Sequence, residues 1–341
     1  MTESAPRLRS DRLIALDVLR GVAVLAMLIA HAMPLVPSAR SGLTGSVASN
    51  INDLASPLFA LVMGMSAALV LARRPAGAGR VILQNLIRGA VLVALGLWLD
   101  GWGSWIAVVL QYLGLLLAVG TPLLLLPPRV LAGLAAALAL VAGPLNAAVL
   151  AAGGPVRPYP PGPADLVTLW LFTGPNYQVT SLLPFFLLGP LLLQHRLRRD
   201  RWLAVIAVVA AVTYPVRVLV EQVSGVEFVP GGLPDTLRDI GLVLIAYVAV
   251  ALLTSWHSAV VDRALLPVRA VGTVALSVYV LQVAVVATFA AAELGYTADT
   301  PLAALVLVFG VWGAGVLWWR FVGLGPVEWL TARLTRLVPA G

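Results

Sequence analysis

The sequence predicts an all-α, polytopic integral membrane protein of about ten transmembrane helices with both termini in the cytoplasm. Three observations carry this. First, 60% of the 341 residues are hydrophobic and only 11% are charged, with a mean hydropathy of +0.97, against roughly 25% charged residues in soluble domains. Second, apolar runs of about 18 residues or more recur along the whole chain, each near the ~20 residues that cross about 30 Å of hydrocarbon as a helix. Third, arginine collects in alternate loops, which sets orientation by the positive-inside rule. No composition shift or low-complexity linker divides the chain, so residues 1–341 read as a single domain.

The first span lies near residues 13–35, behind a cytoplasmic tail, 1–12, that carries Arg7, Arg9 and Arg12. It is not a secretory signal, although Pro37-Ser38-Ala39 resembles a cleavage region. Its apolar segment is too long for a signal core and encloses Asp17 and Arg20. Apolar runs between Arg clusters and Gly/Pro breaks place the next spans near 51–72, 81–99, 104–126 and 130–151. Five more follow near 180–194, 202–222, 239–255, 269–292 and 301–320. Between the halves, Gly153–Gly174 with Pro155, Pro158, Pro160, Pro161 and Pro163 reads as the longest outer loop, a stiff connector or a lid. At the C-terminal end, residues 325–338 set Val327, Leu330, Leu334 and Leu337 at helical spacing opposite Arg333 and Arg336, the pattern of a cytoplasmic interfacial helix.

All 22 basic residues are arginine, and with the N-terminus inside, sixteen of them fall on the cytoplasmic side. The net charge of +7 therefore reports topology rather than a nucleic-acid partner. Cysteine is absent, which excludes disulfides, thiolate metal sites and a Cys nucleophile. The sequence contains no Gly-rich phosphate loop and no metal-ligand cluster.

Charged groups inside spans are costly and usually face a cavity or a partner. In the first span Arg20 and His31 are eleven residues apart, which at about 100° per residue returns them to one face and separates them by about 16 Å along the axis. That geometry suits a cavity through the protein, with a cation toward the cytoplasm and an imidazole toward the outside. Asp17 is placed to pair with Arg20, or the two simply orient the helix. Asn52 and Asp53 open the second span on the side of His31, where a carboxylate is expected to hold the imidazole tautomer. The third span adds Gln84, Asn85 and Arg88, the last needing either Asp17 or an anionic ligand as acceptor, and the fourth adds Gln111 and Tyr112. Arg217 and Glu221 read as a pair on one helix face. Tyr279 and Gln282 share a face of the ninth span, as cavity-lining or interhelical hydrogen-bonding groups.

The stretch Leu16 to His31, then Asn52-Asp53-Leu54-Ala55-Ser56-Pro57-Leu58-Phe59 and Gly64, resembles the transmembrane acyltransferases related to heparan-alpha-glucosaminide N-acetyltransferase, as does Val109-Leu110-Gln111-Tyr112-Leu113-Gly114. Leu276-Ser277-Val278-Tyr279-Val280-Leu281-Gln282 and Gly325-Pro326-Val327-Glu328-Trp329-Leu330 resemble the YeiB-like (DUF418) membrane family. Arg20 and His31 also match the Arg, ten residues, His pattern of acyltransferase-3 proteins that modify surface glycans. These resemblances imply a cytoplasmic acyl-CoA co-substrate, acetyl-CoA first, and a sugar-containing or lipid-linked acceptor outside. In the heparan acetyltransferases the reactive His lies in the loop after the first span. Met33–Asn52 contains none here, so that role is vacant unless His31 fills it.

The leading expectation is therefore a multi-pass acyltransferase of the cell membrane that moves an acyl group to a hydroxyl or amine. His31 would act as base or acyl carrier with Asp53 beside it. Asp17, Arg20, Arg88 and Gln111 would bind the donor, and Asn52, Tyr279 and Gln282 would line the cavity. Cytoplasmic Arg73, Arg74 and Arg80 serve nucleotide phosphates or topology alone. No cofactor is bound covalently and no metal is expected. Expected partners are acyl-CoA, a glycan or lipid-linked acceptor and membrane lipids, with a homodimer left open and nucleic acid excluded. The alternatives are a transporter or flippase and a noncatalytic scaffold.

Overall fold

The computed structural model describes residues 4–73, 77–153, 162–194, 199–225, 231–256 and 258–338, with side chains from Ile14 onward. Arg74, Arg157, Arg196, Arg198 and the side chains of Arg7, Arg9 and Arg12 lie outside the described residues, as do Pro155, Pro158, Pro160 and Pro161 of the outer loop. The described chain is helical, and no strand occurs among the described residues.

α1 (Ser4–Ala32) ends where Pro34 and Pro37 impose two tight 3-10 turns. α2 (Gly42–Arg73) and α3 (Ala78–Asp100) follow as full-length spans. α4 (Leu110–Leu123) is only 14 residues long, so the run expected at 104–126 is helical only in its second part. α5 (Pro128–Ala152) starts on a proline, whose missing N–H falls where no helical bond is needed. The expected outer loop contains more structure than its prolines announce: α6 (Pro163–Thr168) leads into a π-helical turn, Leu169–Thr173. α7 (Val179–Gln194) carries Pro184 and Pro190. α8 (Arg201–Thr213), capped by the Asp200 side chain, continues through a bend at Tyr214-Pro215 into α9 (Val216–Ser224). α10 (Leu233–Thr254) is a further long span.

The ninth expected span, 269–292, is broken. α11 (Ala259–Thr273) and α12 (Ala275–Ala291) meet at Val274 with a bend of 76°, so residues 269–273 belong to the preceding helix. Beyond lie α13 (Pro301–Leu305), a π turn at Val306–Gly310, α14 (Val311–Phe321) and the short α15 (Pro326–Thr335) at the place of the expected interfacial helix. Among the described residues seven helical stretches are long and apolar enough to cross a bilayer, eight if the bent pair is one span, and α4 and α7 are shorter apolar helices.

Burial separates a hub from a rim. The spans of α1 and α2 bury 56% and 50% of their most apolar stretch, whereas α5 buries 11%, the difference between facing protein and facing lipid. α1 approaches α11 through glycine on both sides. A Cβ on Gly21 would overlap the Val268 carbonyl, and one on Gly272 the Asp17 carbonyl. Small residues thus bring two backbones together in the absence of a hydrophobic drive between helices in lipid. This contact sets the broken span directly beside Arg20.

Candidate functional site

Among the described residues three cavities lie in series through the hub, called inner and outer after the expected orientation of the chain. The inner one, of about 300 Å³, is lined by Arg20, Ser66, Asn85, Arg88, Tyr279 and Glu328 among apolar side chains. The outer one, of about 390 Å³, is polar and lined by Asp53, Tyr177, Arg217, Asp235, Arg238 and Asp239 among others. Between them a neck of about 10 Å³ is lined by His31. Phe59, Val109 and Tyr279 border both the inner cavity and the neck, and Asn52, Ser56 and Tyr177 border both the neck and the outer cavity. The neck has room for about one water molecule.

Each cavity is bordered in part by backbone at a helix break or outside a helix. Thr273, Ala275 and Leu276, at the α11–α12 break, line the inner cavity. The non-helical Pro175-Asn176-Tyr177-Gln178 ahead of α7 lines the outer one, and Ala107 and Val109 ahead of α4 line the neck. Backbone leaves the helical state inside a membrane only where it borders protein or a cavity, which is why α4 and α7 are short.

The α11–α12 break leaves carbonyls of α11 and N–H groups of α12 without helical partners. Arg20 donates from Nη1 to the Gly272 carbonyl at 3.3 Å and to Asp17 Oδ1 at 3.2 Å, and from Nη2 to Ser66 Oγ at 3.1 Å. On the other side of the break, Glu328 from α15 accepts the N–H groups of Leu276 at 2.7 Å and Ser277 at 3.2 Å, and the Ser277 hydroxyl. A cation thus sits at a helix C-terminus and a carboxylate at a helix N-terminus, the favourable sense of both dipoles. Glu328 is the residue that reading the sequence missed as a site group. Its Gly-Pro-x-Glu context marks a helix start, but only the fold shows that the helix it caps is α12.

Arg88 does not reach Asp17. It donates from Nη1 to Asn85 Oδ1 at 3.0 Å, and Asn85 is held by Thr121 Oγ1 at 3.2 Å. Among the described residues Arg88 has no carboxylate partner. Asp17 and Gln111, both expected to bind the donor, do not line the inner cavity. Asp17 is spent on Arg20, and Gln111 is buried against Gly96 of α3, where the missing side chain admits it. Arg80 donates to the Val338 carbonyl and so ties α3 to the C-terminal end rather than offering its charge to solvent.

At the neck, Nδ1 of His31 lies 2.6 Å from Nε2 of Gln282, and the His31 carbonyl accepts Trp105 Nε1 at 3.2 Å. Tyr279 lines the neck, with its hydroxyl accepting the N–H of Val109 at 3.2 Å. Gln282 does not line a cavity; it stands behind the imidazole. Nor is Asp53 the imidazole's orienting carboxylate, because it turns to the outer cavity and binds Arg238 Nη1 at 2.7 Å, Asn52 Nδ2 at 3.1 Å and Ser49 Oγ at 3.3 Å. Asn52 itself borders both neck and outer cavity.

The outer network extends further than the expected Arg217–Glu221 pair. Arg217 also binds Asp235, Arg238 also binds Asn50 Oδ1 at 3.0 Å, and Asn50 accepts the Tyr214 hydroxyl at 3.2 Å. Arg217, Asp235 and Arg238 come from α9 and α10, a region without a recognisable motif.

Residues 12–175 match the family described as heparan-alpha-glucosaminide N-acetyltransferase, catalytic, and residues 191–338 match the protein of unknown function family DUF418. No curated protein matches the chain. The first match carries Arg20, His31, Asp53 and Arg88, and the second carries Arg238, Tyr279, Gln282 and Glu328, so the cavities are assembled from both. The chain is thus similar in its N-terminal part to a membrane acetyltransferase catalytic domain and in its C-terminal part to DUF418.

Proposed function

We propose that this protein transfers an acyl group, acetyl in the first instance, from cytoplasmic acyl-CoA to a hydroxyl or amine of an extracytoplasmic or lipid-linked acceptor. The protein would cross the cell membrane ten times with both termini inside. The observation that carries this reading is the placement of His31 in a neck between a cation-lined inner cavity and a polar outer one.

The inner cavity supplies Arg88, a guanidinium without a carboxylate, to the anionic donor, and the apolar remainder suits pantetheine and acyl chain. The outer cavity offers carboxylates, amides and a tyrosine to a polyhydroxylated or amino acceptor. With Nδ1 engaged by Gln282, Nε2 is the ring nitrogen without a side-chain partner among the described residues, and it serves as base or nucleophile when the ring proton is on Nδ1. Either Nε2 takes the acceptor proton as the new C–O or C–N bond forms and the C–S bond breaks, or it attacks the thioester and carries the acyl group to the acceptor. In both cases the CoA thiolate leaves and is finally protonated.

The test uses purified full-length protein with acetyl-CoA and a panel of hexoses and amino sugars, following free CoA thiol and acetylated product. Parental protein should release thiol in an acceptor-dependent way. His31→Ala should lower the rate by about 10²- to 10⁴-fold while acetyl-CoA still binds. Parental turnover in folded His31→Ala removes His31 from the mechanism. Cavities in series also describe a substrate path, the transporter reading, but a neck the size of about one water opposes passage in this conformation. Uptake of the same sugars into proteoliposomes without acetyl-CoA would favour that reading.

A further inference from the structure

We propose that Gln282 is a positioning residue, whose side-chain amide selects which ring nitrogen of His31 carries the proton. This rests on the reading of His31 as base or acyl carrier.

Gln282 is fully buried, at 0% exposure, on the helix that Glu328 caps. Its Nε2 meets His31 Nδ1 at 2.6 Å, while its Oε1 is buried without a hydrogen-bond partner. Among the described residues no other side chain is bonded to the imidazole. A buried amide carbonyl left unpaired is unfavourable, and the two ends of the amide are nearly the same size. Turning the amide by half a revolution sets Oε1 against Nδ1 and puts Nε2 in the unpartnered place, so one end of the amide is bonded in either setting and the state of the ring decides between them.

The two settings have opposite chemistry. With Nε2 of Gln282 donating, His31 Nδ1 is an acceptor, so the neutral ring carries its proton on its own Nε2 and has no lone pair for the neck. With Oε1 facing the ring, Nδ1–H donates to it and Nε2 of His31 becomes the base or nucleophile. When that nitrogen gains a proton or an acyl group, only the second setting accepts the remaining Nδ1–H. A neutral amide in this place does what an orienting carboxylate does for other catalytic imidazoles. Asp53 is unavailable for the task because Arg238 holds it.

The experiment compares the full-length protein with Gln282→Glu and Gln282→Leu, by kinetics with acetyl-CoA and by ¹⁵N spectra of histidine-labelled protein in detergent. The chain has three histidines, and His31→Ala identifies the His31 signals. Gln282→Glu, an acceptor only, should hold the proton on Nδ1 and keep kcat within about threefold of parental. Gln282→Leu should let the ring equilibrate between tautomers and lower kcat by at least about tenfold, with KM for acetyl-CoA unchanged because no inner-cavity group is altered. Matching spectra and kcat in all three proteins would overturn the proposal. So would a Glu variant that is no better than Leu and leaves the tautomer unchanged. If His31→Ala alone retains activity, the reading of His31 as base or acyl carrier falls, and the spectra still decide whether Gln282 sets the tautomer.

Discussion

The inner and outer cavities are each lined by two guanidiniums, and they use them in opposite ways. Outside, Arg217 and Arg238 face Asp53, Asp235 and Asp239, and both arginines are in ion pairs. Inside, Arg20 pairs with Asp17, Arg88 meets only an amide, and the one lining carboxylate, Glu328, is taken up by the start of α12. A guanidinium cannot shed its proton to escape burial, so an unpaired one is retained where a ligand brings the negative charge. The comparison separates charge that builds the fold from charge that, on the proposed function, is held for a ligand, and substitutions on the two sides should therefore fail differently.

The largest expected contrast is at Arg88. Arg88→Met strands no carboxylate and leaves only the amide oxygen of Asn85, which borders the cavity, without its donor, so thermal unfolding in detergent should be lowered only slightly. Loss of a charged hydrogen bond to the donor, about 1.5–3 kcal/mol, should raise KM for acetyl-CoA roughly 10- to 100-fold. A stable variant with parental KM would remove the distinction between the two cavities.

Arg238→Met should do the reverse. It leaves Asp53 partly buried and without its cation, at a cost of about 2 kcal/mol, between the exposed and fully buried cases. The expected readout is a lower Tm with donor KM unchanged, and Asp53→Asn should recover part of the loss in the double variant. Arg20→Lys sharpens the inner side, because one guanidinium now reaches Asp17, Ser66 and Gly272 together. A Lys retains the charge but not the planar fork, so a loss of about 1 kcal/mol in stability and a rise in KM of a few fold are expected. An effect on KM alone would mean that Arg20 serves the donor and not the broken span.

The smallest effect concerns an outer loop remote from both charge networks. Asp299 accepts the Ser38 N–H at 3.0 Å, and bonds from Ser38 hold its carboxyl below the usual carboxylate range. A folded value below the unfolded one means the contact is intact above the ordinary carboxylate pKa and is lost as pH falls through the lowered value. The protection of the Ser38 amide, its exchange rate relative to an unstructured chain at the same pH, should therefore fall only in acid, with acetyl-CoA binding unaffected at neutral pH. An equal response in Asp299→Asn would assign it to another group.

Much of the inner wall was legible because it depends on short-range periodicity. Arg20 and His31 share a face of one helix by arithmetic, Asp17 is one turn from Arg20, and Asn85 and Arg88 are three apart on another helix. Each of these relations is set by 3.6 residues per turn. The pairing of Asp53 with His31 was expected from proximity in topology and did not form, because Arg238, 185 positions away, binds it more directly. Gln111 has the composition of a cavity residue and is buried instead against Gly96, since which face of α4 meets α3 depends on their packing.

By itself the sequence determined that the chain is helical, apolar and built for a bilayer, because hydropathy and helical period are local properties that each segment carries alone. It also determined that the first helix holds a cation and an imidazole on one face. The break in the ninth span, the cap that α15 supplies to it across 52 positions, the amide behind His31 and the closed outer charge network were decided only by tertiary structure. Each depends on which buried polar group finds its partner in space, and in a medium without water that choice is made by packing rather than by sequence neighbours.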